Sequence, residues 1–310
     1  MIRRVPAPHG RLERFIAAFL RVFLRVAFQP WIGPRLQAVG QRRLVNALAL
    51  LMPGRMGLRR STQQVGHLEI EVLSPPQAEA RAVILYLHGG AFCLGSAGTH
   101  RGLCSHLAFE SGLPVWIPNY RLAPEHPYPC ALDDALATYG ALRMRGYSSE
   151  HIVVAGDSAG GTLALALVLR LQQQGQALPA GLALISPVTD TNAAAQRAPS
   201  PQGVRADPMV SADWLRQGLG WLHVPHGTPE FSPLHTDLAG LPPMLIQAGD
   251  EEILLPDATR LAAHAQQCGV VCQLEIHEER WHVFHLQAFY LRSARQALQT
   301  LAAFARSAAA

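Results

Sequence analysis

Residues 152–173 constrain this chain more than any other stretch. A short apolar run at 152–155 suits a strand buried on both faces. Gly156-Asp157-Ser158-Ala159-Gly160 follows at once, and an apolar stretch of helical length follows that. A chain that turns from strand into helix within five residues needs small residues on both sides of the turn. Gly156 and Gly160 supply them, and Gly161 allows close helix packing. The turn lifts the Ser158 hydroxyl above the strand ends, at a helix N-terminus that favours developing negative charge. GxSxG alone is a weak pattern, because Gly and Ser are common in loops. Its place between strand and helix is what makes Ser158 a candidate nucleophile rather than part of an ordinary glycine-rich turn.

The same rhythm runs through most of the chain. Residues 67–73 alternate apolar and polar, as in a half-exposed edge strand. Further strands are expected at 82–87, 114–117, 152–155, 182–185, 244–248 and 270–276, with helices at 100–111, 131–145, 159–174, 256–268 and 284–306. Alternation of this kind predicts an α/β fold, a mostly parallel doubly wound sheet. At roughly 150 residues per domain the length allows two domains, but α/β folds of this size often form one. Two regions depart from the rhythm. Residues 1–65 read as helices, broken at Gly33-Pro34 and Pro53-Gly54. Residues 187–240 are rich in Pro, Gly, Asp and Ala around one amphipathic piece, 211–222, and read as an insertion into a catalytic domain spanning 61–310.

Composition excludes several classes. Hydrophobic residues make up 49% and charged residues 15%, which is enough apolar surface for a core and too much for a disordered chain. The 5 Cys are odd in number and form no CxxC pair, so a disulfide framework or zinc ribbon is not expected and a reducing cytoplasm fits best. His100 and His106 have no carboxylate or Cys at metal-ligand spacing, so no metal site is expected. The net charge of +4 hides an asymmetry: residues 1–60 hold 12 Arg against Glu13 alone, the remainder 14 Arg against 21 acids, and there is no Lys. Arg21 and Arg25 interrupt the apolar stretch 15–28, which therefore suits neither a membrane span nor a signal peptide. As a helix it carries a wide apolar face beside a stripe of Arg11, Arg14, Arg21 and Arg25. Packing onto the body of the protein is the expected role, with binding to a membrane surface as the alternative.

Other candidate site residues fall at the ends of later strands. His88-Gly89-Gly90-Ala91-Phe92 follows the strand at 82–87, and paired glycines let backbone N–H groups approach a substrate. Acyl transfer builds charge on a carbonyl oxygen and needs such donors. The expected oxyanion donors are Gly90, one of Gly89 and Ala91, and Ala159. His88 is expected to hold the loop rather than act as a base. Asp250, Glu251 and Glu252 follow the strand at 244–248. His282 and His285 follow the strand at 270–276, and His282 is preferred because His285 falls in the final helix pattern. Ser158, one of the three acids and a histidine thus all lie at carboxyl ends of strands, the edge where parallel α/β sheets place their sites.

With these residues in place, the chain resembles the bacterial hormone-sensitive-lipase-like (family IV) carboxylesterases of the α/β-hydrolase fold. The motifs that carry the resemblance are His88–Phe92, Tyr120–Glu125, Gly156–Gly161, Ser186-Pro187, Leu241–Pro243, Gly249–Asp257 and His282–Phe284, covering most of the chain. The resemblance implies that 1–60 and 187–240 are the two parts of a helical cap. It also decides the acid: Glu252-Ile253-Leu254-Leu255 matches the family's Glu version of this loop, which makes Glu252 the expected third member, with Asp250 as the alternative. Glu251 is then a solvated neighbour and Asp157 structural. Ala91 stands where the family carries a third glycine, and Asn119 where it often carries Asp.

The resemblance implies a serine hydrolase of short-to-medium acyl esters. It would work through an acyl-enzyme with Ser158, His282 and Glu252 and without cofactor or metal. An amidase or acyltransferase would use the same triad, and a non-catalytic small-molecule receptor could use the same fold. Expected partners are a small-molecule ester and no nucleic acid. No stable membrane insertion is expected, and a homodimer is allowed. Phe15, Phe19, Leu20 and Phe23 are expected to dock over the pocket mouth.

Overall fold

In the computed structural model, which describes residues 1–33, 36–76, 81–189, 191 and 207–310, nine strands form one sheet in the order β1-β9-β8-β7-β6-β4-β5-β3-β2. The strands are β1 Ile2–Val5, β2 Arg59–Val65, β3 Leu68–Ser74, β4 Val83–Leu87, β5 Val115–Pro118, β6 Ile152–Asp157, β7 Gly181–Ile185, β8 Met244–Gly249 and β9 Cys272–His277. Neighbours from β1 to β5 pair in parallel, and β3 runs antiparallel to both β5 and β2. The central strands β4, β6, β7 and β8 are buried along their whole length, which is why they read as unbroken apolar runs.

Helices α3 (Ala97–Ser111) and α8 (Arg292–Ala308) cover one face of the sheet; α4 (Cys130–Met144), α5 (Ala159–Gln173) and α7 (Leu255–Gln267) cover the other. α8 buries Ala294, Ala297, Leu298, Leu301, Ala302 and Ala305, a stripe at three- and four-residue spacing that suits packing on one side only. α3 starts on a capping box in which the Ser96 side chain accepts from Thr99 N–H and the Thr99 hydroxyl accepts from Ser96 N–H. Three further helices lie over the carboxyl ends of the strands or beside them: α1 (Arg11–Phe23), α2 (Ala38–Ala49) and α6 (Ala212–Leu222). Ser211 caps α6 by accepting from Trp214 N–H at 3.2 Å.

Three sequence expectations are corrected. Residues 1–65 are not wholly helical: β1 adds a parallel edge strand beside β9, and the last seven residues form β2, Arg59–Val65. The sequence of β2 hides it, because the strand is almost entirely exposed and needs no apolar period; its paired arginines suit an edge that must not recruit another strand. β3 is therefore not the sheet edge but lies one strand in. The final helix starts at Arg292, and 284–287 form a separate short 3₁₀ turn. The expected break at Gly33-Pro34 and the insertion's residues 190 and 192–206 fall partly or wholly outside the described residues.

The chain moves from β5 on one side of β4 to β6 on the other. The loops leaving the carboxyl ends of β4 and β6 therefore diverge at a switch point, where open α/β sheets form crevices. His88–Ala91 and Ser158 occupy those two loops.

Candidate active site

Ser158 has φ 52° and ψ −122°, a backbone conformation costly for any residue but glycine. The surrounding packing enforces it. A Cβ on Gly160 would run into the Leu87 carbonyl oxygen, and one on Gly156 into the Gly160 carbonyl oxygen. Ser158 N–H donates to the Ile185 carbonyl at 2.8 Å, and the Ser158 carbonyl accepts from Thr162 N–H at 3.2 Å. The hydroxyl is thus held at the first turn of α5, facing a cavity of about 910 Å³, part of it open to solvent. Gly89, Gly90, Asp157, Ser158, His282 and Val283 line its floor, with residues of α1, α2 and α6 above them.

Backbone hydrogen bonds join the two remaining loops. Asp250 N–H donates to the His277 carbonyl at 3.0 Å, and Glu251 N–H to the Arg280 carbonyl at 2.9 Å. Gly249 allows this approach, since a Cβ there would meet the Arg280 carbonyl. His282 Nδ1 and Glu252 Oε1 consequently stand 4.0 Å apart, both buried and neither with another partner. The other Glu252 oxygen accepts from Ser186 Oγ at 2.7 Å and Gly249 N–H at 2.9 Å. Ser186 Oγ also accepts from Val283 N–H at 3.4 Å, so one hydroxyl braces both loops. Burial pulls the His282 pKa down, but the facing Glu252 carboxylate and the more distant Asp207 and Asp157 outweigh it, and the net shift is upward.

The alternatives sit elsewhere. Asp250 forms no ion pair with His282, and one of its oxygens is buried without a partner. His285 is pinned by Gln247 Oε1 at 2.9 Å, and burial holds its pKa well below the ordinary value. Glu251 is not a solvated neighbour as expected: its carboxylate accepts from Arg21 Nε at 2.9 Å, with both side chains largely buried.

Among the four oxyanion candidates, Gly89 is already occupied, since its N–H donates to Asp157 Oδ1 at 3.0 Å. Gly90, Ala91 and Ala159 remain as the candidates. Ala91 adopts φ 49°, a glycine-like conformation at the position where the resembled family carries glycine. Asp157 does more than bond to backbone: Tyr86 Oη donates to it at 2.9 Å, and His100 Nε2 lies 3.3 Å away. Burial alone would raise the Asp157 pKa; His100, Tyr86 and His88 reverse this and hold it low. His100 therefore does have a carboxylate partner, reached across the fold. His88 holds the loop as expected: its Nδ1 lies 3.0 Å from Gly89 O, its ring stacks on Tyr120 at 4.1 Å, and burial lowers its pKa to about 3. Asn119 Oδ1 accepts from Ala97 N–H at 2.8 Å, so the amide keeps the one acceptor needed at the start of α3. Among the described residues no group of three or more His, Cys, Asp and Glu side chains is placed to hold a metal ion.

Asp207 was not singled out by the sequence. It is buried; Oδ1 accepts from Met209 and Val210 N–H at 2.8 and 3.2 Å, and Oδ2 from Ile253 N–H at 3.2 Å. Burial, with a smaller push from Glu252, raises its pKa to about 6 against the pull of His282. Nothing local in the sequence signals this, because Ile253 lies far along the chain.

A sequence profile of the α/β hydrolase fold matches residues 84–286. An esterase of Acinetobacter venetianus is 40% identical over 234 residues, covering 74% of this chain and 77% of that protein. An acetyl-hydrolase of Streptomyces hygroscopicus is 38% identical over 248 residues, covering 79% and 81%. The crystal structure of an esterase from the bacterial hormone-sensitive lipase family superposes with a TM-score of 0.85 at 31% identity, covering 98% of this chain and 100% of that one. The chain belongs to the α/β hydrolases, within the bacterial hormone-sensitive-lipase-like carboxylesterases.

Proposed function

We infer that the protein hydrolyses carboxylic esters with short-to-medium acyl groups. The observation that carries this reading is the strained Ser158 turn opening into one cavity with His282 and with Gly90 of the glycine loop. Ser158 Oγ attacks the ester carbonyl carbon and passes its proton to His282 Nε2. Glu252, on the Nδ1 side, holds the ring and steadies the imidazolium. The 4.0 Å gap closes by about 1 Å when the site tightens around substrate, as catalytic hydrogen bonds commonly do. The carbonyl oxygen becomes an oxyanion held by Gly90, Ala91 and Ala159 N–H. The alcohol leaves with the proton from His282. Water, deprotonated by the same ring, then releases the acid and frees Ser158.

We further propose that α1, α2 and α6 form the cap. Three contacts support this. Trp214 Nε1 donates to Gln41 Oε1 at 3.0 Å, joining α6 to α2. Arg42 on α2 donates to the Cys93 and Ala123 carbonyls at 2.8 and 2.7 Å and pairs with Glu125. On α6, a Cβ at Gly218 would come within 2.6 Å of Ala91 Cβ, so the helix rests directly on the oxyanion loop. All five cysteines are free, which supports a cytoplasmic setting.

The test is a series of p-nitrophenyl esters of increasing chain length, with the matching anilide and an alcohol acceptor as controls. Ester hydrolysis lost in Ser158→Ala supports the reading. Faster anilide cleavage, or acyl transfer to alcohol outrunning hydrolysis, replaces it with an amidase or acyltransferase. Absence of any burst with an activated ester points to a receptor.

A further inference from the structure

α1 has two apolar faces, and only one is used inside the protein. Its inward face buries Ala17 and Leu20 and presents Phe23 to the cavity, with Leu24 just beyond the helix end. Its outward face is apolar too. Leu12, Phe15, Phe19 and Val22 recur at three- and four-residue spacing, which places them on one stripe, and each is 61 to 73% exposed. Arg11 and Arg14 lie exposed along one margin of that stripe. The expected docking of Phe15 and Phe19 over the pocket is thus corrected: they point away from the body.

The apolar field continues across the mouth of the cavity. Leu51 both lines the cavity and is half exposed, and Leu50 and Met56 beside it are almost fully exposed. Charge identifies what this field faces. Residues 1–60 hold 12 Arg and one acid, Glu13. Glu13 is turned inward, accepting from Ser293 N–H at 2.8 Å and Arg280 Nη2 at 3.3 Å. The outward face is therefore apolar and basic with no acid of its own segment upon it.

We propose that this face of α1, with the Leu50–Met56 margin, seats the protein on the surface of an anionic lipid bilayer, with the cavity mouth opening into the lipid. The stripe enters the headgroup region while the arginines reach lipid phosphates. Esters then reach Ser158 from the membrane phase, a consequence that rests on the hydrolase reading, whereas the docking itself does not. The contact is peripheral: among the described residues no helix is long and apolar enough to cross a membrane. Pairing with a second copy through the same face would set the exposed Arg11 and Arg14 of one chain against those of the other with no acid of the segment between them, which charge repulsion opposes.

The experiment uses the full chain and vesicles of three parts phosphatidylcholine to one part phosphatidylglycerol, beside pure phosphatidylcholine. The wild type should sediment with the anionic vesicles and lose binding as salt rises. The double variant Phe15→Asp/Phe19→Asp should bind them about tenfold or more weaker. It should lose rate in parallel on a long-chain ester dispersed in those vesicles, yet hydrolyse a water-soluble ester at the wild-type rate, which also shows that it folds. The proposal is overturned if the wild type stays in solution, or if the variant binds as well as the wild type. It is overturned equally by a wild-type dimer that the two substitutions split without any vesicle binding. If neither protein cleaves the soluble ester, the hydrolase reading fails while vesicle binding still supports the docking surface.

Discussion

Arg21 Nε donates to Glu251 Oε2 at 2.9 Å, and Arg21 Nη2 donates to the Glu279 carbonyl at 2.8 Å. One guanidinium thereby ties α1 to the loop of Glu252 and to the loop of His282, with its central carbon 5.3 Å from the Trp281 ring centre. α1 is thus fastened to the two loops that bring Glu252 and His282 together, rather than resting on the sheet as a separate piece.

Arg21→Ala should therefore disturb chemistry and stability together. Removing it leaves the largely buried Glu251 carboxylate without that partner, a change that typically costs about 3 kcal/mol. Thermal unfolding should shift down by roughly 5–10 °C for a chain of this size, and kcat/KM on a soluble ester should fall about tenfold as the two loops loosen. Differential scanning calorimetry and initial rates check this. An unchanged Tm with unchanged rates would show that the loops hold themselves.

Glu252→Gln should cost about 10³- to 10⁴-fold in kcat, while Asp250→Asn should cost little, because only Glu252 faces His282 Nδ1. The pH profile carries a second signature. Catalysis needs neutral His282, whose pKa lies above its ordinary value because the carboxylates around it outweigh burial. Activity in the wild type should thus fall as pH drops through a value above 6.5. Removing the Glu252 charge lowers the His282 pKa, so the acid limb of the residual kcat/KM should move to lower pH. A larger loss in Asp250→Asn would reassign the acid.

Asp207→Asn makes a related but distinguishable prediction. Above about pH 6 Asp207 is charged and favours the imidazolium of His282. Its removal should move the acid limb to lower pH while kcat at the plateau changes by less than about tenfold. Asn also replaces one acceptor oxygen with a donor, so contacts to Met209, Val210 or Ile253 N–H weaken and Tm should fall by a few degrees. A uniform drop in rate at every pH, with no movement of the limb, would mean that Asp207 only holds the loop.

How far these features could be read in advance depends on where each residue's constraint lies. β4, β6, β7 and β8 declare themselves because both faces are buried, and burial imposes an apolar run. Ser158, His282 and the group of three acids at 250–252 are legible because each comes within a few residues of a strand end, whereas Glu252 stands out among the acids only through the family resemblance. β1 and β2 are not, since backbone pairing at an exposed edge constrains side chains weakly. Asp207, the bracing contacts of Ser186 and the Gln41–Trp214 contact escape because their partners lie far away in sequence. α1 is an intermediate case: its wide apolar face is visible in the sequence, but only packing shows that half of it turns inward and half outward.

Phe23 tests the cap reading most directly. Deleting residues 1–30 would be a blunt instrument, because it also strips β1 from β9 and exposes a sheet edge. Phe23 touches the cavity from α1, while the neighbouring Val22 points to solvent, so a side-chain change separates the two faces of one helix. Phe23→Ala removes an aromatic ring from the cavity wall and leaves the sheet and the Arg21 contacts in place. The enlarged cavity should accept longer acyl chains, and looser contact with short ones should weaken their binding. Relative kcat/KM for a longer-chain ester over acetate should rise about five- to tenfold, the scale set by one to two methylenes in an apolar pocket. Val22→Ala serves as the control and should leave the ratio unchanged. If the two substitutions give the same chain-length profile, the cap does not shape the acyl pocket, and α1 serves some other purpose above the site.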